Sequence, residues 1–288
     1  TDKSDGDSAP AAVAQWYFDH GYDFLVISDH NWLTDPVPVR AEVMVSDREF
    51  LMVPGEEITN LSWVHVNGIG IATRIPPSLL SAPSAAAAES IAAVRAQRGI
   101  PIVNHPNYGW GLGVRTLLET GGMTHLEVFN GSPATHSSGD GSHPSVEVLW
   151  DRVLSGGKRV FAVAVDDAHR FKTWGSEYAN PGNGWIAVRA PELTQQALLD
   201  AIDQGNFYAS TGVVLSEVEL SRGRVGLKIA AVPFRDYSTE FIGQGGRTLQ
   251  SADGVDVSYA VLGYEGYVRA RVTDSSGAHA WTQPVFLP

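Results

Sequence analysis

Apolar residues along this chain fall into short unbroken runs, and several of those runs stop at a carboxylate or a histidine. FLVIS leads into Asp29 and His30, FLMVP into Glu56 and Glu57, IPIVN into His105, and VFAVAV into Asp166, Asp167 and His169. Runs rich in Val, Ile, Leu and Phe that lack polar alternation predict strands buried on both faces, as in a parallel sheet. Between them the spacing changes. From Pro10 to His20 the apolar Val13, Trp16 and Tyr17 recur at helical intervals before Gly21, and further helices are predicted near 84–98, where the chain is Ala-rich, and near 144–155. Other strand signals lie at 51–57, 65–72 and 125–131. Strands alternating with helices predict βαβ units and a mostly parallel sheet, with about six or seven strands before residue 190.

The texture changes after a helix and turn at 191–212. LSEVELSRGRVGLKIAAVPF, VDVSYAVL, YVRARVTD and HAWTQPVFLP are short alternating segments punctuated by Gly and Asp-Gly, which predicts antiparallel β structure. The expected division is an α/β unit over 1–215 and a small β-rich unit over 216–288.

Composition narrows the function. A length of 288 residues supports a large core, and 43% hydrophobic with 18% charged residues is ordinary for a globular chain. The formal net charge of −12 argues against a nucleic-acid partner, whose phosphates need a basic surface. With no cysteine there is no disulfide, no thiolate metal site and no cysteine nucleophile, so nine histidines must supply any nitrogen ligands. No apolar run is long enough to span a membrane, and no signal peptide is evident. The reading is a soluble protein of the bacterial cytoplasm, or an exported one if an upstream signal has been removed.

Ligand-type residues at the ends of successive strands converge only where those strands are neighbours, as at the C-terminal rim of a βα-barrel enzyme. Strand alternation allows only one of Glu56 and Glu57 to face that rim. Pro106 stiffens the exit from the strand that carries His105. Asp167 and His169, two residues apart, offer a chelating pair for a divalent metal. Imidazoles with carboxylates suit zinc, manganese or iron.

Thr1 to Ser8 (TDKSDGDS), Ile27-Ser28-Asp29-His30-Asn31, Gly55-Glu56-Glu57-Ile58-Thr59, His65-Val66-Asn67, Asn104-His105-Pro106, Glu127-Val128-Phe129-Asn130-Gly131 and Asp166-Asp167-Ala168-His169 occur in the order of a known pattern. The chain resembles the PHP-domain metal-dependent phosphoesterases, and within that superfamily the CehA/McbA-type metallohydrolases, over roughly residues 1–212. The resemblance implies a distorted (β/α)7 barrel and two to three divalent metals in an intact member. It assigns Asp5, His30 and His169 to one metal and Glu57, His65 and His105 to another, with Glu57 bridging to a third held also by Asp167. Glu57, Asp167 and His169 are thereby also the catalytic candidates. In the family a His-x-His motif stands directly before the Thr-x-x-Ser-Asp-Gly segment, at the end of the first strand. Both histidines and that strand are expected to be missing ahead of Thr1, leaving the nucleophile-generating cluster incomplete.

The implied reaction is metal-assisted hydrolysis by a hydroxide bridging two cations. A small phosphate ester is the first substrate reading, with Lys3, Arg115 and Arg170 as candidate phosphate contacts and Trp110 as a pocket wall. A carboxylic or carbamic ester is the second, given Trp32, Trp63, Tyr108 and Trp110. A non-catalytic metal- or ligand-binding module is the third. His136 and His143 are read as exposed loop residues, His20 as a partner of helix-end carbonyls, and His125 and His279 as structural.

Overall fold

The computed structural model describes residues 1–43 and 49–288. Its first part runs α1 (Pro10–Asp19), β1 (Phe24–Ile27), α2 (Pro36–Glu42), β2 (Leu51–Thr59), β3 (His65–Ile69), α3 (Pro83–Ala96), β4 (Ile100–Val103), α4 (Val114–Glu119), β5 (His125–Asn130), α5 (Val146–Ser155) and β6 (Phe161–Val165). Local chemistry sets these bounds. Proline occupies the first turn of α1, α2 and α3, where a missing N–H costs nothing. The Ser145 hydroxyl accepts the Val148 N–H to start α5. Gly21, at φ 85°, takes the left-handed conformation that ends α1 and turns the chain into β1.

The six strands form one sheet in the order β1-β2-β3-β4-β5-β6. The pairs β1/β2, β4/β5 and β5/β6 are parallel, but β3 is antiparallel to both its neighbours. That corrects the expectation of a run of parallel strands. Only residues 60–64 separate β2 from β3, and a parallel crossover needs a dozen or more. The barrel is expected from the sequence to lack the first of its seven strands; among the described residues the outer strands β1 and β6 do not pair, and the sheet is a six-stranded open arc. A cavity of about 990 Å³ lies between them, lined by residues 24–28 of one side and 163–169 of the other.

The remainder is β7 (Trp185–Val188), α6 (Gln195–Asp203), β8 (Phe207–Ser210), β9 (Leu215–Leu220), β10 (Arg224–Ile229), β11 (Tyr237–Gly243), β12 (Arg247–Asp253), β13 (Asp256–Ala260), β14 (Tyr267–Asp274), β15 (His279–Thr282) and β16 (Val285–Phe286). As the alternation predicts, every pairing here is antiparallel: β13-β10-β9 in one sheet, and β12-β11-β14-β15-β8-β7 with β16 on β14 in another. β8 thus pairs with β15, which follows residue 216, and β7 joins the same sheet through β8.

Two contacts weld the parts. The Gln283 amide accepts from Ala162 N–H and donates to Ala162 C=O, both at 2.8 Å, and so covers the outer edge of β6 there. Arg269, 0% exposed, reaches across to α5 and donates to both Asp151 oxygens at 2.8 and 2.6 Å, while Tyr267 donates to Asp151 as well. The same guanidinium lies 4.7 Å from the centre of the Trp150 ring. Removing one partner of a buried pair leaves the other charge uncompensated. Arg269→Met is expected to lower unfolding free energy by about 3–5 kcal/mol, and Arg269→Met with Asp151→Leu to recover most of it. Urea denaturation of both variants checks this; a double variant as unstable as the single one would show that the pair is not the cause.

Candidate metal centre

The C-terminal ends of β1, β2, β4, β5 and β6 and the start of β3 lie at one edge of the arc, and each delivers a ligand-type side chain there. His30 follows β1 and is bridged to Glu57 of β2 through the backbone, with Asn31 N–H donating to Glu57 C=O at 2.9 Å. Glu57 Oε1 lies 2.7 Å from His65 Nδ1 and 3.3 Å from His105 Nε2. Glu57 Oε2 is 3.8 Å from His30 Nδ1. Glu56, one residue earlier, goes to the opposite face, where it accepts the Ile75 N–H at 2.8 Å and lies 3.8 Å from Arg74.

A second group forms around Asp5. Its Oδ2 is 3.2 Å from His169 Nε2 and 3.5 Å from His30 Nε2. Each imidazole is oriented through its other nitrogen: His169 Nδ1 sits 2.6 Å from Asp167 C=O and His30 Nδ1 2.5 Å from Thr59 Oγ1. Fixing Nδ1 in this way leaves Nε2 free to act as a ligand. The ligating atoms of Asp5, His30 and His169, and those of His30, Glu57 and His65, each lie within 4.8 Å of one another. Asp167 lies past the end of β6, at φ 49° and not in strand geometry, with its Oδ1 3.9 Å from His169 Nδ1. His105 has φ 21°. Such backbone conformations cost on the order of 1–3 kcal/mol each in non-glycine residues and collect at functional sites.

Protonation follows from this crowding. Burial opposes ionisation of Glu57, but the hydrogen bonds of His105 and His65 and the charge of His30 overcome it and hold its carboxyl well below the ordinary range. Burial likewise opposes the charge on His105, yet Glu57 and the nearby Glu127 raise it to about 9. The hydrogen bond to Asp5 lifts His169 to about 9 and raises His30. Burial pushes Asp167 upward, reinforced by repulsion from Glu57. Glu127, which accepts the His105 N–H at 2.8 Å and an Asn130 N–H at 3.0 Å, is pushed by burial up to about 7. Asn67 Oδ1, on β3 opposite Glu57, is buried without a hydrogen-bond partner and lines the cavity. A hard or borderline divalent cation fits this donor set of imidazoles, carboxylates and an orphaned amide oxygen.

The other sequence candidates are placed as follows. Arg170 Nη1 donates to the carbonyls of Asp5 and His169, at 3.1 and 3.2 Å, and so braces that group. Lys3 is exposed on the loop that carries Asp5. Arg115 is exposed on α4 and paired with Glu119 at 2.8 Å. Trp110 stacks on His136 and His143, with ring centres 4.8 and 3.9 Å apart. His20 Nδ1 donates to the Trp16 carbonyl at 2.7 Å, and His125, fully buried with Nε2 3.0 Å from Ile202 C=O, is lowered to about 4 by burial. Sequence reasoning assigned no role to Asp29, Asn130 and Asp166. Asp29 accepts from Thr1, Ser4 and Thr34 hydroxyls and so holds the Asp5 loop. Asn130 bridges Glu127 and Asp167. Asp166 accepts from Tyr17 and from the backbone of Gly182, Asn183 and Gly184. The signal available for all three was their place beside a ligand in a strand-end motif.

No family model matches the chain, and no curated protein matches it. Among solved structures, the chain is similar to a two-domain protein from Bacteroides vulgatus described as containing a predicted PHP-like metal-dependent phosphoesterase. The two are 17% identical, 94% of this chain and 87% of that one are covered, and the TM-score is 0.49. An immunoglobulin-like β-sandwich protein from the same organism is 13% identical, with 27% of this chain and 100% of that one covered and a TM-score of 0.21.

A metal must displace the protons that His105 and His169 carry up to about pH 9. Zinc affinity is therefore expected to rise from pH 6.5 to 9 and then level, with proton release on binding. Protein stripped of metal should behave oppositely: imidazolium–carboxylate pairing stabilises it fully below pH 6.5 and is lost as pH rises through about 9. His105→Ala should weaken zinc binding by about 10-fold or more. Calorimetry in buffers of differing ionisation enthalpy checks all three; pH-independent affinity would remove these histidines from the ligand set.

Proposed function

We propose that this chain is a metal-dependent hydrolase of phosphate esters, with residues 1–215 carrying the chemistry and 216–288 forming a β-rich unit that supplies no ligand. The observation that carries the reading is the meeting of Asp5, His30, Glu57, His65 and His169 donor atoms within 4.8 Å groupings at one edge of the sheet, with His105 3.3 Å from Glu57. Divalent cations held there would acidify water and neutralise charge developing on ester oxygens. In this reading Glu57, His65 and His105 hold one cation and Asp5, His30 and His169 another. Asp167 is anchored by Asn130 beside the site, and Arg170 fixes the backbone of Asp5 and His169 without reaching substrate.

A second substrate class has its own support. No lysine or arginine is among the described residues lining the cavity, whereas apolar side chains from β1, β6 and β7 are. Hydrolysis of a neutral carboxylic or carbamic ester needs no cation cluster beyond the metals. Parallel assays of an aryl phosphate and an aryl acetate on zinc-, manganese- and iron-loaded protein separate the two. Glu57→Gln is expected to lower kcat/KM by about 10–100-fold on the true substrate class. Hydrolysis of neither ester by protein with full metal content would overturn the hydrolase reading in favour of a binding module.

The cavity between β1 and β6 supports one finer proposal. Apart from the Gln283 contact at Ala162, neither strand pairs with another along that edge, and unpaired strand edges seek a partner. We propose that a strand ending in His-x-His fits there and completes the ligands beside Glu57 and Asp167. Joining such a strand ahead of Thr1 should raise metal content, melting temperature and hydrolysis together. Unchanged metal content would refute it.

A further inference from the structure

Several exposed apolar side chains gather beside the metal centre. Trp32 follows His30 by two residues and Trp63 precedes His65 by two, and the His30 and His65 rings lie 5.3 Å apart. Both indoles are exposed, Trp63 at 74%. Leu61 shares the β2–β3 turn with Trp63. Leu79 and Leu80, exposed as well, are tied to that turn because Asn60 Oδ1 accepts the Ser78 N–H at 2.6 Å. Arg74 Nε donates to Asn31 C=O at 2.6 Å and so brings the same segment alongside Trp32. In a chain that is 18% charged, the sole lysine, arginine, aspartate or glutamate from Ile58 to Ala88 is Arg74. The three segments thus form one apolar, nearly uncharged surface next to the ligands.

The turn that carries Trp63 is built to hold its polar groups inward. The Asn60 amide donates to Val64 C=O at 3.0 Å and to Ser90 Oγ at 3.1 Å, and Trp63 N–H donates to Asn60 C=O at 3.1 Å. Trp63 itself has φ 62°, a left-handed conformation that disfavours a bulky residue by on the order of 1–3 kcal/mol. An indole held in that conformation and largely bare gains little from the protein's own packing. Strain retained to present an apolar ring to the outside points to a contact outside the chain.

Contiguous exposed apolar surface marks either a membrane or a protein contact. Two features select the membrane. Leucines and tryptophans on short turns whose main chain is bonded internally suit the shallow burial of an interfacial anchor, in which indole rings sit at headgroup level. A protein seated here would cover the ligands beside it, whereas a phospholipid surface brings both phosphate and carboxylic esters to them, a distinction that rests on the hydrolase reading. We propose that this surface docks the metal centre onto a bilayer of zwitterionic phospholipid. Charge decides the headgroup. Arg74, the one cation in the segment, is engaged with Asn31 and faces Glu56, and the formal net charge of −12 repels an anionic surface.

Flotation of the metal-loaded full chain with phosphatidylcholine vesicles, followed together with tryptophan emission, tests this. Binding with a blue shift is expected, and both should weaken as phosphatidylglycerol is added. Trp63→Ala combined with Leu79→Ala should weaken binding about 10-fold or more and keep the parent's melting temperature and metal content, because both side chains are exposed. Phe234→Ala, which removes another bare ring in the turn between β10 and β11, should leave binding unchanged. Flotation is read without turnover, so binding with no hydrolysis of any ester supports the docking and counts against the hydrolase reading alone. Absence of vesicle binding, tighter binding to anionic vesicles, an equal loss in the Phe234 variant, or a dimer in solution that the Trp63 and Leu79 substitutions dissociate would each overturn the proposal.

Discussion

Like charge packed at the edge of a buried sheet is the constraint on which this molecule is built. Asp5, Glu57, Glu127 and Asp167 crowd a small volume, and the repulsion between Glu57 and Asp167 is felt as an upward push on the latter. Carboxylates in such a place must neutralise or find cations. Here four imidazoles stand among them, two held protonated up to about pH 9. A proton on each is a modest solution, because it satisfies only one carboxylate oxygen at a time. A divalent cation satisfies several oxygens and nitrogens at once, which is why the same arrangement favours metal over protons as pH rises.

Holding those groups together requires a scaffold that does not relax, and the chain uses one device repeatedly. At each strand end two polar residues stand in sequence and go to opposite sides, by strand alternation for Glu56 and Glu57 and in the segments just past the strands for the other three pairs. His30 goes to the site while Asp29 anchors the Asp5 loop. Glu57 goes to the site while Glu56 accepts from Ile75. His105 goes to the site while Asn104 accepts the Asn67 N–H at 3.2 Å. Asp167 goes to the site while Asp166 gathers Tyr17 and the 182–184 backbone. The first residue of each pair ties the strand end to a neighbouring loop or strand and so fixes the backbone beside His105 and Asp167, both of which have positive φ.

That pairing explains how much of the molecule could be read from residues alone. Runs such as FLVIS and VFAVAV are legible because continuous hydrophobicity marks strands covered on both faces, and the ligand that follows each run is legible because it breaks the pattern. The direction of β3 is written in the shortness of residues 60–64, a signal weaker than the expectation of repeated βαβ units. Harder still was the membership of β7 and β8 in the second sheet, since WIAV and FYAS carry no mark of which edge they join. YVRARVTD shows the limit most clearly. Its alternation suggests one wet face, yet Arg269 is fully buried because α5 covers that face and brings Asp151 to meet it. Pairing of this kind depends on residues more than a hundred positions apart and leaves no local trace.

The same long-range contacts decide what the C-terminal β structure does for the site. β8 is bonded to β15 through Ala209 opposite Trp281, Gln283 holds the outer edge of β6 at Ala162, and Trp281 belongs to the same apolar cluster as Leu126, Val128 and Trp150. β6 ends four residues before His169, so the strand that aims Asp167 and His169 is gripped from the C-terminal side of the chain. Burial of this kind is cooperative: loosening Gln283 or Arg269 frees an edge and a charge together, and neither can be re-satisfied by local adjustment. The β-rich segment therefore bears on the candidate metal centre by fixing the strand from which Asp167 and His169 hang, and among the described residues neither candidate ligand group includes one of its side chains.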